Sequence, residues 1–84
     1  MVDKQRLQSE MVGKWSIKPS LASKLVDILT YSSDKDLITT EMVVNHFGFT
    51  PTTAKRYLRQ LTQFGYLVSH GGNKNRTYKN NGYR

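Results

Sequence analysis

With 84 residues, no cysteine and a formal net charge of +7, the chain is long enough for one domain with a modest core. It lacks the thiols for a disulfide framework or a thiolate zinc site, and His46 and His70 are far apart with no acid beside either, so neither a metal nor a cofactor is expected. No stretch approaches the roughly 18 apolar residues of a membrane span; Met1-Val2-Asp3-Lys4 opens no apolar run of secretory type, and a cytoplasmic protein is the expectation.

The first predicted element covers residues 3–15, where Leu7, Met11 and Trp15 recur every fourth residue with Val12 beside them. Residues 16–19 end it, because Pro19 disfavours helical geometry at Lys18. A second helix is expected over residues 20–31, with Leu21, Leu25, Ile28 and Leu29 as its core-facing stripe. Residues 32–36 read as a polar loop, and Leu37-Ile38 as a stub of strand.

Thr39 or Thr40 then caps a short helix over residues 41–47, with Glu41 in its first turn and Val43, Val44 and Phe47 on its buried side. Gly48 stands where a helix ends in the left-handed conformation. Thr50-Pro51 starts the next helix, with threonine at the cap and proline at the first helical position. Ala54, Leu58 and Leu61 keep one face of this helix apolar to about Phe64, and Gly65 stops it. Residues 66–70 and 76–79 are β-prone runs around the glycine-rich residues 71–75, which predicts a hairpin. Alternation places Leu67 and Tyr78 inward and Arg76 outward, with residues 80–84 frayed.

The charge is unevenly placed along these elements. Residues 1–41 hold Lys4, Arg6, Lys14, Lys18, Lys24 and Lys35 together with all 6 acids, and sum to zero. Beyond Glu41 there is no acid, and Lys55, Arg56, Arg59, Lys74, Arg76, Lys79 and Arg84 supply the whole +7. Solvated surfaces normally mix both signs. An acid-free half-domain instead suits a polyanion, with nucleic acid preferred to an anionic membrane or an acidic protein.

The run Ile38-Thr39-Thr40-Glu41-Met42-Val43-Val44-Asn45-His46-Phe47-Gly48-Phe49-Thr50-Pro51-Thr52-Thr53-Ala54-Lys55-Arg56-Tyr57-Leu58-Arg59-Gln60-Leu61, closed by Gly65 before the hairpin, resembles the helix-turn-helix of bacterial winged-helix regulators. Over residues 20–80 the chain is similar to DeoR-like regulators and to the winged domain at the C-terminus of some Fic-type proteins. The resemblance implies a mainly α fold with a small β-hairpin, a winged helix-turn-helix of three core helices plus a wing, with an extra N-terminal helix. Its expected bounds are an extension over residues 1–18, the winged domain over 19–80 and a frayed tail over 81–84. Function is then expected to be DNA binding in transcription regulation by a nucleoid-associated protein. The helix over residues 50–64 would enter the major groove, which is wide enough to admit it.

The candidate DNA-contacting residues are Thr50, Thr52, Thr53, Lys55, Arg56 and Arg59 on that helix, with Lys74 and Arg76 on the wing. Arg56 suits a guanine edge, Thr52 a thymine methyl or a phosphate, and Thr53 a phosphate. Tyr57 either packs inward or reaches a phosphate. Residues 3–15 either fold back on the domain, form a homodimer contact through Leu7, Met11 and Trp15, or link to further chain. Catalysis is not expected: Asp34 and Asp36 have no neighbouring base, and the only Gly-Gly pair lies in a hairpin and opens no helix. The competing readings are a winged helix used for protein contact, double-stranded RNA binding, and nonspecific nucleic-acid binding.

Overall fold

The computed structural model describes residues 4–72 and 76–82. It contains helices α1 (Lys4–Trp15), α2 (Pro19–Ser32), α3 (Thr40–Phe47) and α4 (Pro51–Gln63), followed by strands β1 (Leu67–His70) and β2 (Thr77–Asn80). The fold is mainly helical with a two-stranded antiparallel sheet, in the register Leu67↔Asn80 to His70↔Thr77. Ile38 adds a one-residue bridge to this sheet. It exchanges both backbone hydrogen bonds with Tyr78 at 2.8 Å, which places the expected strand stub beside β2.

Helix ends follow local chemistry. Thr39, not Thr40, caps α3, its hydroxyl accepting from the Met42 N–H. Gly48 closes α3 at φ 77, with its N–H on the Val44 carbonyl. At the end of α4, Gly65 at φ 84 donates to the Thr62 carbonyl while Tyr66 donates to Leu61. That pair of bonds is the Schellman arrangement, and the side chain after the glycine, Tyr66, is buried as the motif favours.

Helix α1 ends at Trp15 as expected, and Lys18, before Pro19, is extended. The turn itself is made at Ser16, at φ 55, from which the Ile17 N–H reaches back to the Met11 carbonyl at 3.2 Å, and Pro19 also serves as the first residue of α2. A non-glycine residue in this region is strained. Ser16→Gly is therefore expected to stabilise the fold by about 0.5–1 kcal/mol, seen as a raised denaturant midpoint; an unchanged or lowered midpoint would contradict it.

One core joins all elements. Leu7, Met11 and Ile17 belong to it together with Leu25, Val26, Ile28 and Leu29 of α2, Val43 of α3, Ala54, Leu58 and Leu61 of α4, and Tyr66, Leu67 and Tyr78. Leu21, expected inside, is only half-buried, and Ala22 and Val26 take its place. Val44 and Phe47 are likewise half-buried. Of the apolar stripe expected either to fold back on the domain or to support a homodimer, Leu7 and Met11 are enclosed by their own chain, and Val12 and Trp15 are half-buried. Leu7, Met11 and Ile17, within the expected extension, belong to the same core cluster as the later helices and the hairpin.

The frayed tail also needs correction. Asn80 is buried, and its side-chain amide donates to the Ser32 hydroxyl at 3.1 Å and the Leu29 carbonyl at 3.4 Å. Asn81 donates its N–H to the Tyr66 carbonyl and its side-chain amide to the Gly65 carbonyl. Both asparagines thus hold the end of the hairpin to α2 and to the close of α4.

Candidate nucleic-acid interface

Helix α4 owes its orientation to the spacing of Ala54, Leu58 and Leu61, all fully buried. Seating that stripe turns the opposite side outward. Thr52, Arg56, Arg59 and Gln63 then run as one exposed row at i, i+4, i+7 and i+11, with exposed Lys55 beside them. Thr52, Lys55, Arg56 and Arg59 line one shallow concavity. From Thr52 to Arg59 the row extends about 10 Å along the axis.

None of these three cations has an acidic partner among the described residues. The ion pairs Lys4–Asp27 and Lys35–Asp34 both lie within the first two helices and the loop that follows α2. Lys55 and Arg59 are like charges one turn apart, which weakens an isolated helix slightly. A multivalent anion seated across them would remove that repulsion.

Thr50 and Thr53 form a pair at the start of α4. The Thr50 hydroxyl accepts the Thr53 N–H at 3.3 Å and donates to the Thr53 hydroxyl at 2.9 Å. Thr50, expected among the DNA contacts, is thus engaged as a helix cap, while Thr53 keeps its own hydroxyl proton for an outside acceptor. Thr50→Ala is expected to cost about 1 kcal/mol of stability, measured by denaturant unfolding; no loss would show that the cap contributes nothing.

Arg76 is exposed just before β2 and does not line the α4 concavity. Lys79 is exposed on β2. Lys74 lies outside the described residues. Leu67 and Tyr78 are buried as expected; Arg76, two residues before Tyr78 and so on its side by alternation, is exposed because it precedes β2 and not because the alternation turns it outward.

The aromatic residues mostly pack. Tyr57 is half-buried with its ring edge-on to Phe49 at 5.3 Å, and Phe49 stacks on Phe47 at 5.4 Å. His46 is exposed and stacked on Tyr31 at 4.2 Å. Lys35 sits 4.1 Å from the centre of the Tyr31 ring. These rings join α2, α3, the glycine turn and α4 into one block, which fixes how α4 is presented.

Two side chains differ from the sequence reading. Gln60, off the apolar stripe and so expected to face outward, is half-buried, with its Oε1 enclosed and without a hydrogen-bond partner among the described residues. Trp15 donates its indole N–H to the Tyr66 hydroxyl at 3.2 Å, across 51 positions of sequence. Among the described residues no helix is long and apolar enough to cross a membrane, and no three of His, Cys, Asp and Glu come together as a metal cluster. Comparison of the chain with protein-family models, curated proteins and solved structures gives no match.

Proposed function

We propose that the chain is a winged helix-turn-helix module that binds double-stranded DNA as a transcriptional regulator and does no catalysis. In this reading α2, α3 and α4 are the three core helices, Ile38 and the hairpin form the small sheet, and the hairpin is the wing. The observation that carries the reading is the outward row of α4, where Thr52, Lys55, Arg56 and Arg59 share one concavity with no acid partner among the described residues.

Arg56, in the second turn, lies within reach of base edges when the start of α4 enters the major groove, and its fork matches the two acceptors of guanine. Thr52 meets a thymine methyl or the flanking phosphate. Thr53 donates its hydroxyl to a phosphate, with Thr50 feeding a hydrogen bond into it. Lys55 and Arg59 neutralise phosphates on either side, and Arg76 tracks the backbone. A duplex of A-form RNA fits less well, because its deep, narrow major groove does not admit side chains of a helix.

Selection of bound duplexes from a random pool tests this reading. Enrichment of a common motif is the expected result. Binding without enrichment would replace sequence-specific regulation with a nonspecific, architectural role, and absence of binding at low salt would overturn DNA as the partner.

A further inference from the structure

We propose that the chain forms a two-fold symmetric dimer through a concavity on α1, α2 and α3, with Tyr31 at the axis. Lys4, Asp27, Tyr31, Lys35, His46 and Phe47 line it. This face is distinct from the enclosed stripe of Leu7 and Met11. It shares no lining residue with the concavity on α4, so a partner seated on it leaves the α4 row open.

Charge decides which faces of two copies can meet. Each copy carries +7, and the α4 concavity holds three cations, so two such faces repel. On the α2 face Lys4 and Lys35 are balanced by Asp27 and Asp34. The arrangement is also self-complementary. Tyr31 stands midway between Asp27 and Lys35, four positions from each, and the Lys35 N–H folds back onto the Ser32 carbonyl at the end of α2. A two-fold axis at Tyr31 that sets two α2 helices antiparallel brings Asp27 onto the partner's Lys35 and Lys4 onto the partner's Asp34, each pair occurring twice. Lys4 and Asp27 are 3.9 Å apart and exposed within their own chain, so that exchange sacrifices little.

Tyr31 is held ready as the anchor. His46 stacks on its ring at 4.2 Å, Phe47 meets it edge-on at 5.6 Å, and Lys35 lies 4.1 Å from its centre. The ring is half-buried, and its ordering cost is met before any partner arrives. The hollow along Gln5, Ser9, Val12 and Gly13 of α1 is uncharged as well, but it offers neither a ring nor a charge pattern to fix a register. On the DNA reading, such a dimer presents two α4 rows, one for each half-site.

Sedimentation equilibrium of the full chain without DNA, from about 10 μM to 1 mM, tests the contact. The mass is expected to rise from 9.7 kDa toward twice that value. Asp27→Lys with Asp34→Lys makes the face wholly basic; Lys4→Glu with Lys35→Glu makes it wholly acidic. Each doubly substituted chain alone is expected to dimerise at least about tenfold more weakly, and their equimolar mixture to form a heterodimer. These side chains fill no core space, so the melting midpoint stays near that of the wild type. Ser9→Lys, in the α1 hollow, leaves the dimer intact. A wild-type mass fixed at 9.7 kDa, undiminished dimerisation of either charged chain, a mixture that fails to associate, or a dimer broken equally by Ser9→Lys overturns the proposal. Failure of the chain to bind duplex removes the DNA reading alone, because the masses are measured without DNA.

Discussion

Arg56→Ala is expected to weaken binding to the preferred duplex by roughly 1–3 kcal/mol, about 5- to 150-fold, and to flatten the preference at one base position. The expectation follows from placement. Arg56 is exposed in the second turn of α4, flanked in the outer row by Thr52 and Arg59, and has no acid partner among the described residues to break before it engages a base. Folding should be nearly untouched, within about 0.5 kcal/mol, since the side chain fills no core space. Arg76→Ala provides the contrast. As a backbone contact it should weaken every duplex alike and leave the preference intact. Competition binding against a panel of single-base variants separates the two outcomes. Equal loss on every sequence for Arg56→Ala would assign that arginine to the phosphates and leave base reading to other residues.

Met11→Ala is expected to lower stability by about 2–5 kcal/mol, the range for truncating a fully buried large side chain. Met11 is 0% exposed and lies in the same core cluster as Leu25, Leu58 and Tyr66. For 84 residues the total stability should be of the order of 4–12 kcal/mol, so one substitution in α1 removes a large share. The melting temperature should fall by at least about 10 °C. Gln5→Ala, on the exposed side of α1, should change little. A melting temperature unchanged by Met11→Ala would mean that α1 is an appended helix and that residues from 19 onward fold alone. The expected loss would instead place the domain boundary at or before Lys4.

The contrast between these two residues shows what was legible before the structure. Thr50-Pro51, Gly48 and Gly65 mark helix ends by chemistry that acts within five residues, and each boundary falls within about one residue of its expected place. The outward row of α4 was equally legible, because the apolar positions 54, 58 and 61 fix which residues face away. Ser16 was missed because serine in the left-handed region carries no local signal, and Pro19 offered a simpler cause for the break. The position of α1 was open because Leu7, Met11 and Trp15 form the same stripe whether they cover their own domain or a second copy. The burial of Leu7 and Met11 and the meeting of Trp15 with Tyr66 and Phe64 show that the stripe packs on its own domain. Asn80 was placed in a frayed end because its partners, Leu29 and Ser32, stand 51 and 48 positions away. Polar residues near a terminus otherwise read as solvent-facing.

The central claim is that the acid-free face of α4 and the wing binds the backbone of duplex DNA. Affinity of the full chain for duplex DNA, followed from about 50 to 200 mM salt, tests it most directly. Four to six neutralised phosphates per monomer predict a linear fall of log affinity with log salt, with a slope between about −3.5 and −5.5. A flat dependence, or no binding at 50 mM salt, would contradict it.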